Sequence, residues 1–172
     1  PEYIGYGSNA NGLMDVAGGS AIRDWSINGD LRIGQDNGVG RFEVLDNSSG
    51  LDQLRVAGNF YVGYNSGNGF SLTRGYFIAT NTAGGPVSIT ATNEFGAGLD
   101  GDGACGEVRI NGRGGLWWMN VDGGGNNMHI ANGNDTYGAT GIVELINFQN
   151  VLWGLQSGDS CGYLTIGQEG GT

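Results

Sequence analysis

Lysine is absent from this 172-residue chain, and its seven basic residues are all arginine, at 23, 32, 41, 55, 74, 109 and 113. Against 17 Asp and Glu they leave a formal net charge of −10 and a pI near 4.2. Such a chain has no basic stripe to displace counterions, which excludes nucleic acid as a partner. Binding to anionic membranes is excluded for the same reason. Proline occurs only twice, so the chain is neither collagen nor a proline-rich linker. There is no transmembrane run, which argues against membrane insertion, and no signal peptide. Neither a P-loop nor a dinucleotide fingerprint is present. The one histidine, His129, lies between Met128 and Ile130 and faces away from both. It is expected at the surface, and no Ser-His-Asp arrangement can be built on it. An enzyme is not expected.

What the chain has in excess is glycine, 37 residues, about a fifth of the whole. Hydrophobic residues at 38% and charged residues at 14% are too many and too few, respectively, for disorder. Short apolar alternations recur between segments rich in Gly, Asn, Asp and Ser, which close turns. Examples are Leu31/Ile33, Phe42/Val44, Leu54/Val56, Phe60/Val62, Val87/Ile89, Val108/Ile110, Met128/Ile130 and Leu164/Ile166. Each pair places two side chains on one face of a strand, so the class is all-β.

The segment Trp25–Thr73 carries an internal repeat. Shifted by 29 residues, Trp25 falls on Leu54, Ile27 on Val56, Leu31 on Phe60, Ile33 on Val62 and Gly34 on Gly63. Gly38 and Gly40 then meet Gly67 and Gly69, and after a one-residue slip Phe42 and Val44 meet Phe70 and Leu72. Ile4-Gly5 precedes Ile33-Gly34 by the same interval, and Leu13 precedes Phe42 by it. The phase continues through Ile89, Ile130 and Ile166, with residues 97–106 as an insertion-like loop. A second match aligns Cys105–Asn111 with Cys161–Gly167, which would give Ile110 the phase instead of Ile89 or Ile130.

A period of 29 with several strands in each fits a parallel β-helix, or β-solenoid. About five to six coils are expected in a single domain, 1–172, with expanded loops in 85–135. Ile4, Ile33 and Val62 would stack as an interior ladder about 4.8 Å apart, with Gly5, Gly34 and Gly63 at corners needing positive φ. A sandwich or jelly roll is the competing all-β architecture, and neither requires the 29-residue echo.

The pattern φ-x-φ-Gly, a polar loop, then φ-x-φ, seen in Tyr61-Val62-Gly63-Tyr64-Asn65-Ser66-Gly67-Asn68-Gly69-Phe70-Ser71-Leu72, resembles the β-strand repeats of autotransporter-type passenger regions and related secreted bacterial surface proteins. The resemblance covers residues 1–73 well and 128–172 loosely. It implies an extracellular right-handed β-helix with structural or adhesive duty.

Asp100 and Asp102 offer two carboxylates on a glycine-rich turn, the nearest approach to a calcium loop, but the other ligands of a calcium hand are missing. No cofactor is expected beyond that Ca²⁺ candidate. Arg109 and Arg113 nearby would serve a lyase-like site by fold analogy. Cys105 and Cys161 would form a disulfide outside the cell, or occupy one corner two coils apart, about 9.6 Å from bonding.

The chain opens at Tyr3-Ile4-Gly5 and closes in the same phase at Leu164, Ile166 and Gly167. Neither end carries a cap, so the last coil can present its edge to the first coil of another copy. The expected function is an extracellular structural subunit that self-assembles head to tail into a surface filament or sheath. The alternatives are a glycan-binding adhesin, using the loops of 85–135 and exposed aromatics, and a polysaccharide lyase or hydrolase.

Overall fold

Alternating apolar and polar residues produce strands along the whole described chain. The computed structural model describes residues 1–8, 10–16, 24–44, 53–66, 72–80, 87–99, 103–112, 116–122, 127–133, 138–156 and 163–168. Among them every regular element is a strand: β1 (Glu2–Tyr6), β2 (Asn11–Val16), β3 (Asp24–Ile27), β4 (Leu31–Gln35), β5 (Val39–Val44), β6 (Gln53–Val56), β7 (Phe60–Tyr64) and β8 (Arg74–Thr80). There follow β9 (Val87–Ala91), β10 (Glu94–Leu99), β11 (Cys105–Asn111), β12 (Leu116–Asp122), β13 (Asn127–Asn132), β14 (Thr140–Ile146), β15 (Asn150–Gln156) and β16 (Tyr163–Gln168).

Each strand pairs in parallel with the strand three places on. The first sheet has the order β1-β4-β7-β10-β13-β16, the second β14-β11-β8-β5-β2, and the third β15-β12-β9-β6-β3. Equivalent residues stack across strands, and the apolar columns of all three sheets meet in one core. The first sheet contributes Leu31, Phe60, Phe95 and Met128, all essentially inaccessible to solvent. The second contributes Phe42, Phe77 and Val108, and the third Leu54 and Ile89. Phe42 and Phe77 stack with centroids 4.9 Å apart and planes at 15°, close to the spacing of adjacent strands. Trp25 continues that stack onto Phe42 at 4.9 Å.

The registers extend the interior ladder as Ile4, Ile33, Val62, Ala97, Ile130 and Ile166. The intervals are therefore 29, 29, 35, 33 and 36 residues, not a constant 29. Ile89 does not carry the first-sheet phase; it lies in the third sheet beside Leu54 and Met119. Ile110 lies in the second, beside Ala79 and Leu145. Residues 97–106 are not one loop, because Ala97–Leu99 complete β10 and Cys105 begins β11. The match of Cys105–Asn111 to Cys161–Gly167 fails too, since β11 is a second-sheet strand and β16 a first-sheet one.

The second half of the proposed repeat needs a larger correction. Phe42 pairs with Phe77 and Val44 with Ala79, not with Phe70 and Leu72, and Gly40 pairs with Gly75. Met14, rather than Leu13, stands beside Phe42, and Leu13 faces solvent. The cause is lengthening of the connection from first to second sheet. Three residues, 36–38, join β4 to β5; nine, 65–73, join β7 to β8; seven, 133–139, join β13 to β14. Expansion thus begins at residue 65 and recurs at this corner, rather than filling 85–135.

That corner is closed by backbone contact. Gly34 has φ +70, and a Cβ there would overlap the Arg74 carbonyl oxygen and sit 2.8 Å from the Gly75 nitrogen. Gly5, Gly63 and Gly98 repeat the geometry against Val39, Cys105 and Thr140, each the first residue of the second-sheet strand one layer on. The same place in the next layer is held by Ala131, at φ +59. No second-sheet strand beyond β14 exists among the described residues to meet its Cβ.

Candidate functional site

The left-handed residue in each first-sheet strand also shapes the outer surface. It resets the alternation, so that residues two before and one after it share the outward face. Two adjacent outer columns result: Tyr3, Arg32, Tyr61, Gly96, His129 in one, and Tyr6, Gln35, Tyr64, Leu99, Asn132 in the other. The pairs meet side by side. Tyr3 and Tyr6 have centroids 5.0 Å apart, Tyr61 and Tyr64 stack at 4.6 Å, and Arg32 Nη1 donates to Gln35 Oε1 at 3.2 Å. The Arg32 guanidinium lies over the Tyr3, Tyr61 and Tyr64 rings at 5.2 to 5.8 Å.

Carboxylates tie these columns together. Asp30 Oδ2 accepts from Arg32 Nη2 at 2.6 Å, and Asp30 Oδ1 accepts from the Asn59 backbone N–H at 2.9 Å. Burial acts to raise the Asp30 carboxyl, but the Asn59 N–H and the Arg32 guanidinium prevail and hold it below its ordinary value. Glu94 accepts from the Tyr61 hydroxyl at 2.6 Å with one oxygen, and its other oxygen is 3.1 Å from His129 Nε2. Asn132 Nδ2 lies 3.4 Å from His129 Nδ1. A ring that donates from Nε2 and accepts at Nδ1 fits both neighbours. His129 is consequently 9% exposed and part of a ladder, not the bare surface histidine expected. These contacts link β4, β7, β10 and β13, although the buried Arg32 Nε has no hydrogen-bond partner among the described residues. The solvent-facing part of this face is the Tyr3–Tyr6 pair on the edge strand.

The six residues expected to form an assembly interface lie on the two edges of the first sheet. Tyr3, Ile4 and Gly5 belong to β1, and Leu164, Ile166 and Gly167 to β16. They are not brought together within one chain. Gly5 and Gly167 share the left-handed conformation, at φ +72 and +66. Ile166 is 71% exposed although the equivalent Ile33 and Val62 are buried. Among the described residues, eight large hydrophobic side chains are exposed, and seven lie on sheet-edge strands: Tyr3, Tyr6, Leu13, Ile142, Ile146, Val151 and Ile166.

A third feature lies on the outer face of the third sheet. A groove of about 660 Å³ with a mixed polar and apolar lining crosses β3, β6 and β9. Ser26, Arg55 and Thr90 form one row across it and Gln53 and Ser88 another. Arg55 Nη2 donates to Gln53 Oε1 at 3.1 Å. Sequence reasoning missed this groove, although the 29-residue shift already sets Ser26 on Arg55. The available signal was a missing acid. Asp30, Glu43 and Glu107 each stand two residues from an arginine, on the same strand face, and each makes the corresponding ion pair. Arg55 has Gln53 and Ala57 at those places, as Arg74 has Leu72 and Tyr76, and neither makes an ion pair among the described residues.

Asp100, Asp102, Arg113 and Cys161 lie outside the described residues. Among those described, no three His, Cys, Asp or Glu residues gather to hold a metal ion. Cys105 is a free thiol whose pKa burial pushes up, with Arg74 opposing and Glu107 adding to the rise. Arg109 is held between Glu107 and Glu144, its Nε 3.3 Å from Glu144 Oε2. No helix among the described residues is long and apolar enough to cross a membrane. Comparison with protein-family models, curated proteins and solved structures gives no match to this chain.

Proposed function

We propose that this chain is a parallel β-solenoid of five three-strand coils and a further first-sheet strand. Its role is structural: copies stack end to end into an extracellular filament or sheath at the cell surface. The observation that carries this reading is the placement of exposed apolar side chains on the edge strands. An unpaired strand edge beside exposed Ile, Val, Leu and Tyr is a template for further pairing. A coil of the same kind is the surface that matches it best. The contact is head to tail, so it propagates rather than closes. The absence of lysine and the acidic, glycine- and asparagine-rich composition suit an exported protein.

The test is electron microscopy and fibre diffraction of the purified chain, raised in concentration. Filaments with a meridional spacing of about 4.8 Å are expected. A chain that stays monomeric at millimolar concentration, with no fibres in micrographs, refutes the reading. Aspartate at Ile166 and at Tyr3 should abolish assembly while leaving the monomer folded, because both side chains are exposed at the edges.

A further inference from the structure

We propose that the groove across β3, β6 and β9 binds a largely neutral glycan bearing an isolated carboxylate, with Arg55 as the carboxylate's partner. This does not depend on end-to-end assembly, since the groove lies on the side of the third sheet.

The lining carries the argument. Hydroxyls and amides of Ser26, Gln53, Ser88, Thr90 and Thr92 line the groove together with a single guanidinium, beside apolar Ile27, Val56 and Ala57. These groups donate and accept hydrogen bonds, as sugar hydroxyls require. They are fixed on three parallel strands in register, so Ser26, Arg55 and Thr90 recur at about 4.8 Å across the sheet. The row spans about 9.6 Å, close to two sugar rings of an extended oligosaccharide. The volume of about 660 Å³ lies within the ordinary range of ligand sites.

Charge selects among ligands. Arg32, Arg41 and Arg109 each pair with a carboxylate of this chain, whereas Arg55 and Arg74 make no ion pair among the described residues, and of these two only Arg55 lies in the groove, where it donates to the neutral Gln53 oxygen. A carboxylate is the better bidentate partner for a guanidinium. The net charge of −10 opposes a densely charged polyanion, and one arginine cannot offset that field. An isolated acid group among neutral sugars satisfies both conditions. A protein partner is disfavoured because no aromatic side chain lines the groove to act as an anchor.

Titration calorimetry with three hexasaccharides tests this: one neutral, one carrying a single uronate, one all uronate, each at low salt. The single-uronate probe should bind most tightly and the all-uronate probe most weakly. Arg55→Gln should weaken the single-uronate probe about tenfold, to the level of the neutral one, and barely change the neutral probe. Arg55 is exposed, so an unchanged thermal midpoint should accompany that loss. Arg55→Lys should retain part of the preference. The proposal is overturned if the neutral and single-uronate probes bind equally, if the all-uronate probe binds best, if Arg55→Gln changes nothing, or if no probe binds.

Discussion

Substituting Gly63 by alanine tests the corner geometry most directly. Gly63 has φ +70, and an added Cβ would overlap the Cys105 carbonyl oxygen and lie 2.7 Å from the Gly106 nitrogen. Holding alanine in the left-handed region costs about 1–2 kcal/mol. Relieving the overlap requires β7 and β11 to separate at the corner, and overpacking of this kind costs about 1–3 kcal/mol. Loss of unfolded-chain freedom returns about 0.4–1 kcal/mol. The net expectation is a loss of about 1–5 kcal/mol, centred near 3, a large part of the stability of an ordinary domain.

A control separates the two costs. Gly7 has φ +86 but nothing within 4 Å of an added Cβ. Gly7→Ala carries the backbone cost alone and should lose about 1 kcal/mol or less. Urea denaturation of both variants, read by far-ultraviolet circular dichroism, measures the difference. If Gly63→Ala is no less stable than Gly7→Ala, backbone contact at the corner is not what requires glycine there.

Other outcomes follow from the core, the acidic pair and the thiol. Phe77→Ala removes a fully buried ring that stacks on Phe42 and meets Phe60 edge-on at 5.4 Å, and should cost about 3–5 kcal/mol in the same denaturation assay. Asp30 has a folded-state pKa below its ordinary 3.8, so its contribution is present above that value and is lost as pH falls through the lower, folded one. Acid titration of stability should therefore be shallower for Asp30→Asn, which should itself cost about 1–2 kcal/mol near pH 7. Cys105 has its pKa raised above 9.0, so in a Cys161→Ser background iodoacetamide should modify it more slowly at pH 8 in the folded than in the unfolded chain. Glu107→Gln should speed that modification by removing a neighbouring negative charge.

The strands and the first two intervals were legible because apolar alternation and the Gly-bearing phase are local signals. Ile4, Ile33 and Val62 stack as the 29-residue shift requires. The register was lost at Phe70, and the reason is physical. The corner after the left-handed glycine tolerates three connecting residues or nine, because a longer loop adds little closure entropy. A fixed shift cannot follow a connection of free length. A second anchor survives the insertion: Gly40, Gly75, Gly106 and Gly141 stack in one column as the second residue of each second-sheet strand. Aligning on that column sets Phe42 on Phe77. The ion pairs between strand neighbours, Arg32–Asp30, Arg41–Glu43 and Arg109–Glu107, were equally local. The contact of His129 with Glu94 was not, since it required β10 and β13 to be adjacent.

If copies stack end to end as proposed, the left-handed Ala131 bears on their arrangement. In four layers the left-handed residue is glycine, and each faces the first residue of the second-sheet strand one layer on. Ala131 breaks that rule below the edge strand β14, where a stacked copy would lay its own strand. The sixteen strands among the described residues, in a period of three, amount to five and a third layers. A copy turned by about a third of a turn would place β1 over β14, β2 over β15 and β3 over β16, closing all three sheets with a rise of about 26 Å. A copy placing β1 over β16 without rotation would rise about 29 Å and leave one strand position open in the second and third sheets. The first arrangement meets the Ala131 Cβ, at a cost of about 1–3 kcal/mol. The second forgoes the ladders of two strands, several hydrogen bonds at about 1 kcal/mol each, and leaves Ile142, Ile146 and Val151 exposed. If copies stack as proposed, the rotated arrangement is the one expected, with Ala131 as a brake upon it. Ala131→Gly should lower the concentration at which filaments form. A rise near 29 Å, or a variant that assembles no more readily than the native chain, would refute this order of costs.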